Sequence, residues 1–95
     1  MTVIEELTLT MAPDRVAAYL RRDAEVWTRF LESCDGFLGK ETWIPNDRPG
    51  TVVLIIRWAS MEHWRAITPE QVDAVDREMG GLLPESLACC SYTVV

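Results

Sequence analysis

Thr51-Val52-Val53-Leu54-Ile55-Ile56-Arg57-Trp58 carries five aliphatic residues without a break. An antiparallel strand with one wet face alternates apolar and polar side chains, and this one does not. Both of its faces are expected to be covered, one by helices. A second copy of the chain is the simplest cover for the other. Arg57 and Trp58 are neighbours on the strand, so they point to opposite faces.

The order of elements follows on either side. Upstream, Pro45-Asn46-Asp47-Arg48-Pro49-Gly50 is turn chemistry, and Phe37 to Ile44 is a second strand. Asp35-Gly36 ends a helix running from Pro13 to about Cys34, with proline and an acid in its first turn and glycine as its stop. Val3 to Met11 alternates, with Val3, Glu5, Leu7 and Leu9 on one face. Downstream, Ser60 caps a short helix to about Ile67. Thr68-Pro69-Glu70-Gln71 opens another that ends at Gly80-Gly81. Ser86 to Val95 is the last strand. Strand, helix, strand, strand, helix, strand is the ferredoxin-like βαββαβ order: an α+β domain, one antiparallel sheet with helices on one face, spanning residues 1–95.

Composition narrows the function classes. At 95 residues the chain forms one modest core, and four tryptophans in so short a chain suggest apolar surface buried against a second subunit. The net charge of −6 argues against nucleic acid, because phosphate contacts need clustered Lys and Arg, and Arg21-Arg22 is the only basic cluster. No apolar run approaches the roughly 20 residues that span a bilayer, and the first residues lack the features of a signal peptide. A cytoplasmic protein without a membrane partner is expected. Cys34, Cys89 and Cys90 read as small buried hydrophobes. No Cys/His spacing suggests a metal and no glycine-rich loop suggests a nucleotide, so no cofactor is called for.

The clearest chemical signal lies in the first helix. Val16, Leu20, Asp23, Trp27, Phe30 and Cys34 recur at spacings of four and three and draw one stripe. Asp23 is the only acid in it. A carboxylate aimed at a core must find a partner, shift its pKa or line a pocket. Candidate partners are Arg57, Lys40 and the indoles of Trp43 and Trp58. If Trp58 faces the helices, Arg57 faces the dimer partner. Glu5, on the same strand face as Leu7 and Leu9, approaches the same space. Glu41 shares its face with Phe37 and Trp43 and reads as solvated or at a dimer edge. His63 points to solvent.

Arg22-Asp23-Ala24-Glu25-Val26-Trp27-Thr28, Gly36-Phe37-Leu38-Gly39-Lys40-Glu41-Thr42-Trp43 and Ile56-Arg57-Trp58-Ala59-Ser60 resemble a small bacterial family within the dimeric α/β-barrel superfamily, alongside the antibiotic-biosynthesis monooxygenases. The resemblance covers nearly the whole chain. It implies a homodimer whose sheets face each other, with a pocket in each protomer between sheet and helices. Superfamily members oxidise polycyclic aromatics without metal or flavin, cleave haem, isomerise lactones or cyclise polyketides. Trp58 aligns with a tryptophan of the haem-degrading branch. That branch also uses a first-strand asparagine and a helical histidine. Here the first strand offers Glu5, Glu6 and threonines, and the region of Asp76 and Arg77 has no histidine.

A small apolar or aromatic ligand is therefore expected. Asp23 is the candidate base and Arg57 the candidate oxyanion or carboxylate partner. Trp27, Trp43, Trp58, Glu5 and Lys40 are the candidate substrate-binding residues. Cofactor-independent monooxygenase chemistry on an aromatic or polyketide-like substrate is the leading reading. An isomerase or cyclase sharing the enolate, or a non-catalytic ligand-binding or structural dimer, are the alternatives.

Overall fold

The computed structural model describes residues 1–95. Strand β1 (Val3–Thr10) leads into a helical rod, followed by β2 (Phe37–Trp43) and β3 (Thr51–Trp58), then α3 (Met61–Arg65), α4 (Pro69–Glu78) and β4 (Ser86–Thr93). The sheet is antiparallel in the order β2-β3-β1-β4. The order is the expected one, and the helices lie on one side. No helix is long and apolar enough to cross a membrane.

Pairing of β1 with β3 explains the unbroken aliphatic run. Val3, Glu5, Leu7 and Leu9 stand opposite Trp58, Ile56, Leu54 and Val52, so these side chains share the helix-facing surface. Leu9, Val52 and Leu54 pack there with Met11, Tyr19, Val26, Val75 and Met79. Val3, Ile56 and Trp58 form a second cluster with Leu31. On the other face Ile55 lies between Glu6 and Glu41 across the strands and is buried, while Trp43 and Tyr92 stay half exposed. β4 is exposed along its whole length. Cys89 and Cys90 are thus free and exposed rather than buried, because β4 is an edge strand that no helix covers in the protomer. Cys34 is half-buried.

The rod is not a uniform helix. A 3₁₀ turn (Pro13–Arg15) opens it, α1 (Val16–Asp23) follows, a π turn spans Ala24–Thr28, and α2 (Arg29–Glu32) closes it. A π turn widens one turn of the ladder by a residue. The inward face therefore advances from the expected Phe30 to Leu31, which is buried while Phe30 is only half-buried. Gly36 ends the rod at φ 80°, a left-handed value, and a side chain there would also collide with the ring of His63. Ser60 accepts from the His63 N–H and caps α3, and Thr68 and Gln71 form a reciprocal capping box on α4.

Strand β2 departs from simple alternation. Phe37 pairs with Trp58 and Gly39 with Arg57, so Leu38 is an extra residue, a β-bulge. Phe37 and Lys40 consequently face the helices, and Glu41 and Trp43 face away. The expectation that Phe37, Glu41 and Trp43 share a face fails at this bulge.

Candidate functional site

Between the inner sheet face, the rod and α4 lies a cavity of about 450 Å³. Most of its wall is aliphatic or aromatic. Leu83 and Leu87, both about half exposed, stand where it meets solvent. Five ionisable side chains reach it: Glu5 from β1, Tyr19 and Asp23 from α1, Lys40 from β2, and Asp76 from α4.

Asp23 has found its partner. Lys40 Nζ donates to Asp23 Oδ2 at 2.5 Å, and each side chain is only 5% exposed. Lys40 Nζ also donates to Thr28 Oγ1 at 3.0 Å. Asp23 and Thr28 are five residues apart. In an α-helix they would diverge around the axis, but the intervening π turn stacks them on one side, over one ammonium. The β2 bulge supplies the other half of the arrangement by aiming Lys40 inward. Asp23 Oδ1, shielded from solvent, has no hydrogen-bond partner. One carboxylate oxygen is thus held by the ammonium, and the other is left free in a residue lining the cavity.

The other two carboxylates are each held by an indole. Trp58 Nε1 donates to Glu5 Oε1 at 3.0 Å, and Trp27 Nε1 donates to Asp76 Oδ1 at 3.2 Å. Burial pushes the Glu5 carboxyl above its ordinary range, and the indole and the Lys40 charge only partly offset this. Burial, reinforced by Asp23 and Asp76, pushes the Tyr19 hydroxyl up as well, so it remains a protonated donor.

The raised Glu5 carboxyl has a consequence for stability. The folded chain holds this proton more tightly than the unfolded chain does, so the contribution is full below the unfolded pKa of about 4.5. It is lost as pH rises through the higher folded value. Glu5→Gln should therefore flatten the decline in stability above pH 4.5 and be the more stable protein at neutral pH, as read by urea midpoints across pH. An unchanged slope would show that Glu5 is not the group responsible.

Four sequence candidates meet at the cavity: Asp23, Lys40, Trp27 and Glu5. Trp58, fully buried, lies behind Glu5 and positions it rather than lining the space. Arg57 and Trp43 are on the opposite sheet face. Arg57 pairs there with Glu41 at 3.2 Å, and the Trp43 indole donates to the same carboxylate at 3.3 Å. Together they hold Glu41 below the usual carboxylate range. The strand's alternation keeps Arg57 from Asp23, so it is not the oxyanion donor of this cavity, and Trp43 cannot line it. Asp76, Tyr19 and Thr28 are absent from the sequence candidates. Tyr19 stands one turn before Asp23, and Asp76 falls one turn after Val72, a legible signal in both cases. Thr28 depends on the π turn and gives none. His63 is exposed, as expected, with Nδ1 2.7 Å from Ser60 Oγ.

Residues 2–72 match the family described as antibiotic biosynthesis monooxygenase. No curated protein matches the chain by sequence. Among solved structures, a Caulobacter crescentus protein superposes with a TM-score of 0.80 at 15% identity, covering 99% of this chain and 90% of that one. A Bordetella bronchiseptica protein gives 0.80 at 14% identity, over 99% and 97%. SnoaB, a cofactor-independent oxygenase from Streptomyces nogalater, gives 0.62 at 17% identity, over 99% and 91%. At these identities the likeness is one of fold.

Proposed function

We propose, since this chain belongs to the antibiotic biosynthesis monooxygenase family, that it is a cofactor-independent monooxygenase acting on an enolisable aromatic or polyketide-like molecule. The observation that carries this reading is the free Asp23 Oδ1 beside a bound ammonium, in a residue lining a largely apolar cavity. SnoaB, of similar fold, is a cofactor-independent oxygenase.

In such chemistry the substrate supplies the electrons. Asp23 Oδ1 takes a proton from the carbon beside a carbonyl, and the carbonyl oxygen becomes an enolate. Lys40 has a third N–H beyond those given to Asp23 and Thr28, and its charge stabilises that oxygen. The indoles of Trp27 and Trp58 already donate to carboxylates, so Lys40 takes the donor role the sequence suggested for Arg57. The enolate carbon then bonds to dioxygen. The resulting hydroperoxide breaks its O–O bond and loses water, and the carbon becomes a carbonyl. The carbon gives up two hydrogens and gains one oxygen, and the second oxygen leaves as water. Glu5, which keeps its proton to higher pH, is placed to supply the acid. The apolar walls protect the enolate from bulk water.

We further propose that the protein is a homodimer, with the sheet face bearing Ile4, Val53, Trp43 and Tyr92 against a second copy. The half-exposed Trp43 and Tyr92 support this, and sedimentation giving a monomer would remove it.

The test is an oxygen electrode with an enolisable polycyclic ketone. One dioxygen should be consumed per carbonyl formed, without added metal or flavin. Exchange of the acidic hydrogen for deuterium without oxygen uptake would instead favour an isomerase or cyclase. Binding with neither would leave a non-catalytic ligand-binding dimer.

A further inference from the structure

We infer that the cavity selects an aromatic ligand that carries hydrogen-bond donors and no negative charge, and that it rejects carboxylated rings. The inference rests on reading the cavity as a small-molecule site and adds the class of molecule it takes. Its polar groups are unevenly matched. Three carboxylates, Glu5, Asp23 and Asp76, face one ammonium, Lys40. Each carboxylate uses one oxygen internally: Glu5 Oε1 accepts from Trp58, Asp23 Oδ2 from Lys40, and Asp76 Oδ1 from Trp27. The second oxygens of Asp23 and Asp76 make no hydrogen bond within the protein and are, on this inference, acceptors for a ligand.

Asp23 Oδ1 gives independent support. Asp23 is only 3% exposed, and that oxygen has neither protein partner nor solvent access. A buried acceptor left unpaired carries a desolvation cost that a donor on a ligand removes. On the donor side there remain one Lys40 N–H and the Tyr19 hydroxyl. Lys40 is already balanced by Asp23, so a ligand carboxylate would meet an excess of like charge in a poorly hydrated space. Burial keeps Glu5 protonated to higher pH, which eases the crowding of acids but supplies no positive charge. Hydroxyl and amino substituents both meet this demand. A methoxy group, which accepts but cannot donate, does not.

Calorimetric titration of four naphthalenes separates the cases: dihydroxy, amino, dimethoxy and carboxylate derivatives of one ring. The dihydroxy and amino compounds should bind at least about tenfold tighter than the dimethoxy compound, the value of roughly one satisfied buried acceptor. Binding of the naphthoate should be weakest. Asp76→Asn and Glu5→Gln should each narrow the gap between naphthoate and dihydroxynaphthalene. Tight binding of the amine alone would also overturn the inference, because a naphthylamine is uncharged at neutral pH and offers the same kind of donor as the dihydroxy compound. Equal binding of all four, or naphthoate binding best, would overturn the inference and leave the small-molecule site intact. Binding of none would overturn both.

Discussion

Lys40→Met should cost this protein about 3–5 kcal/mol of folding stability, because it leaves the Asp23 carboxylate buried with no counter-charge. In a domain of this size that corresponds to a fall of roughly 15–30 °C in melting temperature. The methionine side chain is close in length to the lysine stem, so little of the loss would come from packing. Asp23→Asn should be destabilising for the mirror reason, since the ammonium loses its charge partner and keeps only Thr28 and a neutral amide. The double variant Asp23→Leu/Lys40→Met should recover most of the loss. Replacing both members of a buried pair by apolar residues of similar volume is often neutral or better. Thermal melts of the two singles and the double close the cycle. Singles as stable as the parent would mean that the pair is hydrated in solution and that the closed geometry at Asp23 is not maintained.

The same double variant gives the largest expected effect on activity. If Asp23 Oδ1 removes the substrate proton and Lys40 holds the enolate oxygen, turnover should fall by about 10²–10⁴ in a protein that still folds. Asp23→Asn alone cannot make this distinction, because loss of folded protein and loss of the base would both lower the rate. In the double variant the two effects separate. Oxygen uptake at saturating substrate, normalised to folded protein, is the measurement. A double variant that melts like the parent and turns over like the parent would assign the pair to architecture alone, pinning the rod to β2. The catalytic role would then pass to Glu5, whose carboxyl keeps its proton to higher pH.

Much of the fold was legible before any coordinates. Alternation in β1, the unbroken run in β3, the capping box at Thr68 and the stop at Gly36 are local signals, and local steric and hydrogen-bonding rules suffice to read them. The inward-facing acid was legible for the same reason, because one charged residue interrupts an otherwise apolar stripe. The partner of that acid was not. By sequence Arg57, Lys40 and the indoles of Trp43 and Trp58 were all candidates, with Arg57 and Trp58 excluding each other because they point to opposite faces of β3. Choosing among them requires knowing which face of β2 and β3 each side chain occupies.

That choice falls to two irregularities that leave little trace in a pattern of residue types. A single bulged residue, Leu38, changes the parity of β2 and turns Lys40 toward the helices while leaving Trp43 outside. One π turn in the rod brings Thr28 onto the same side as Asp23 and moves the buried position from Phe30 to Leu31. Periodicity counts residues, and each irregularity adds one residue to the count without changing composition. The sequence by itself determined the order of the elements, the alternation of β1 and the presence of a carboxylate in the core. Only the tertiary structure decided that Lys40 meets this carboxylate, that Arg57 does not, and that Asp76 joins the cavity from α4, because those outcomes depend on register and rotation between elements distant in the chain.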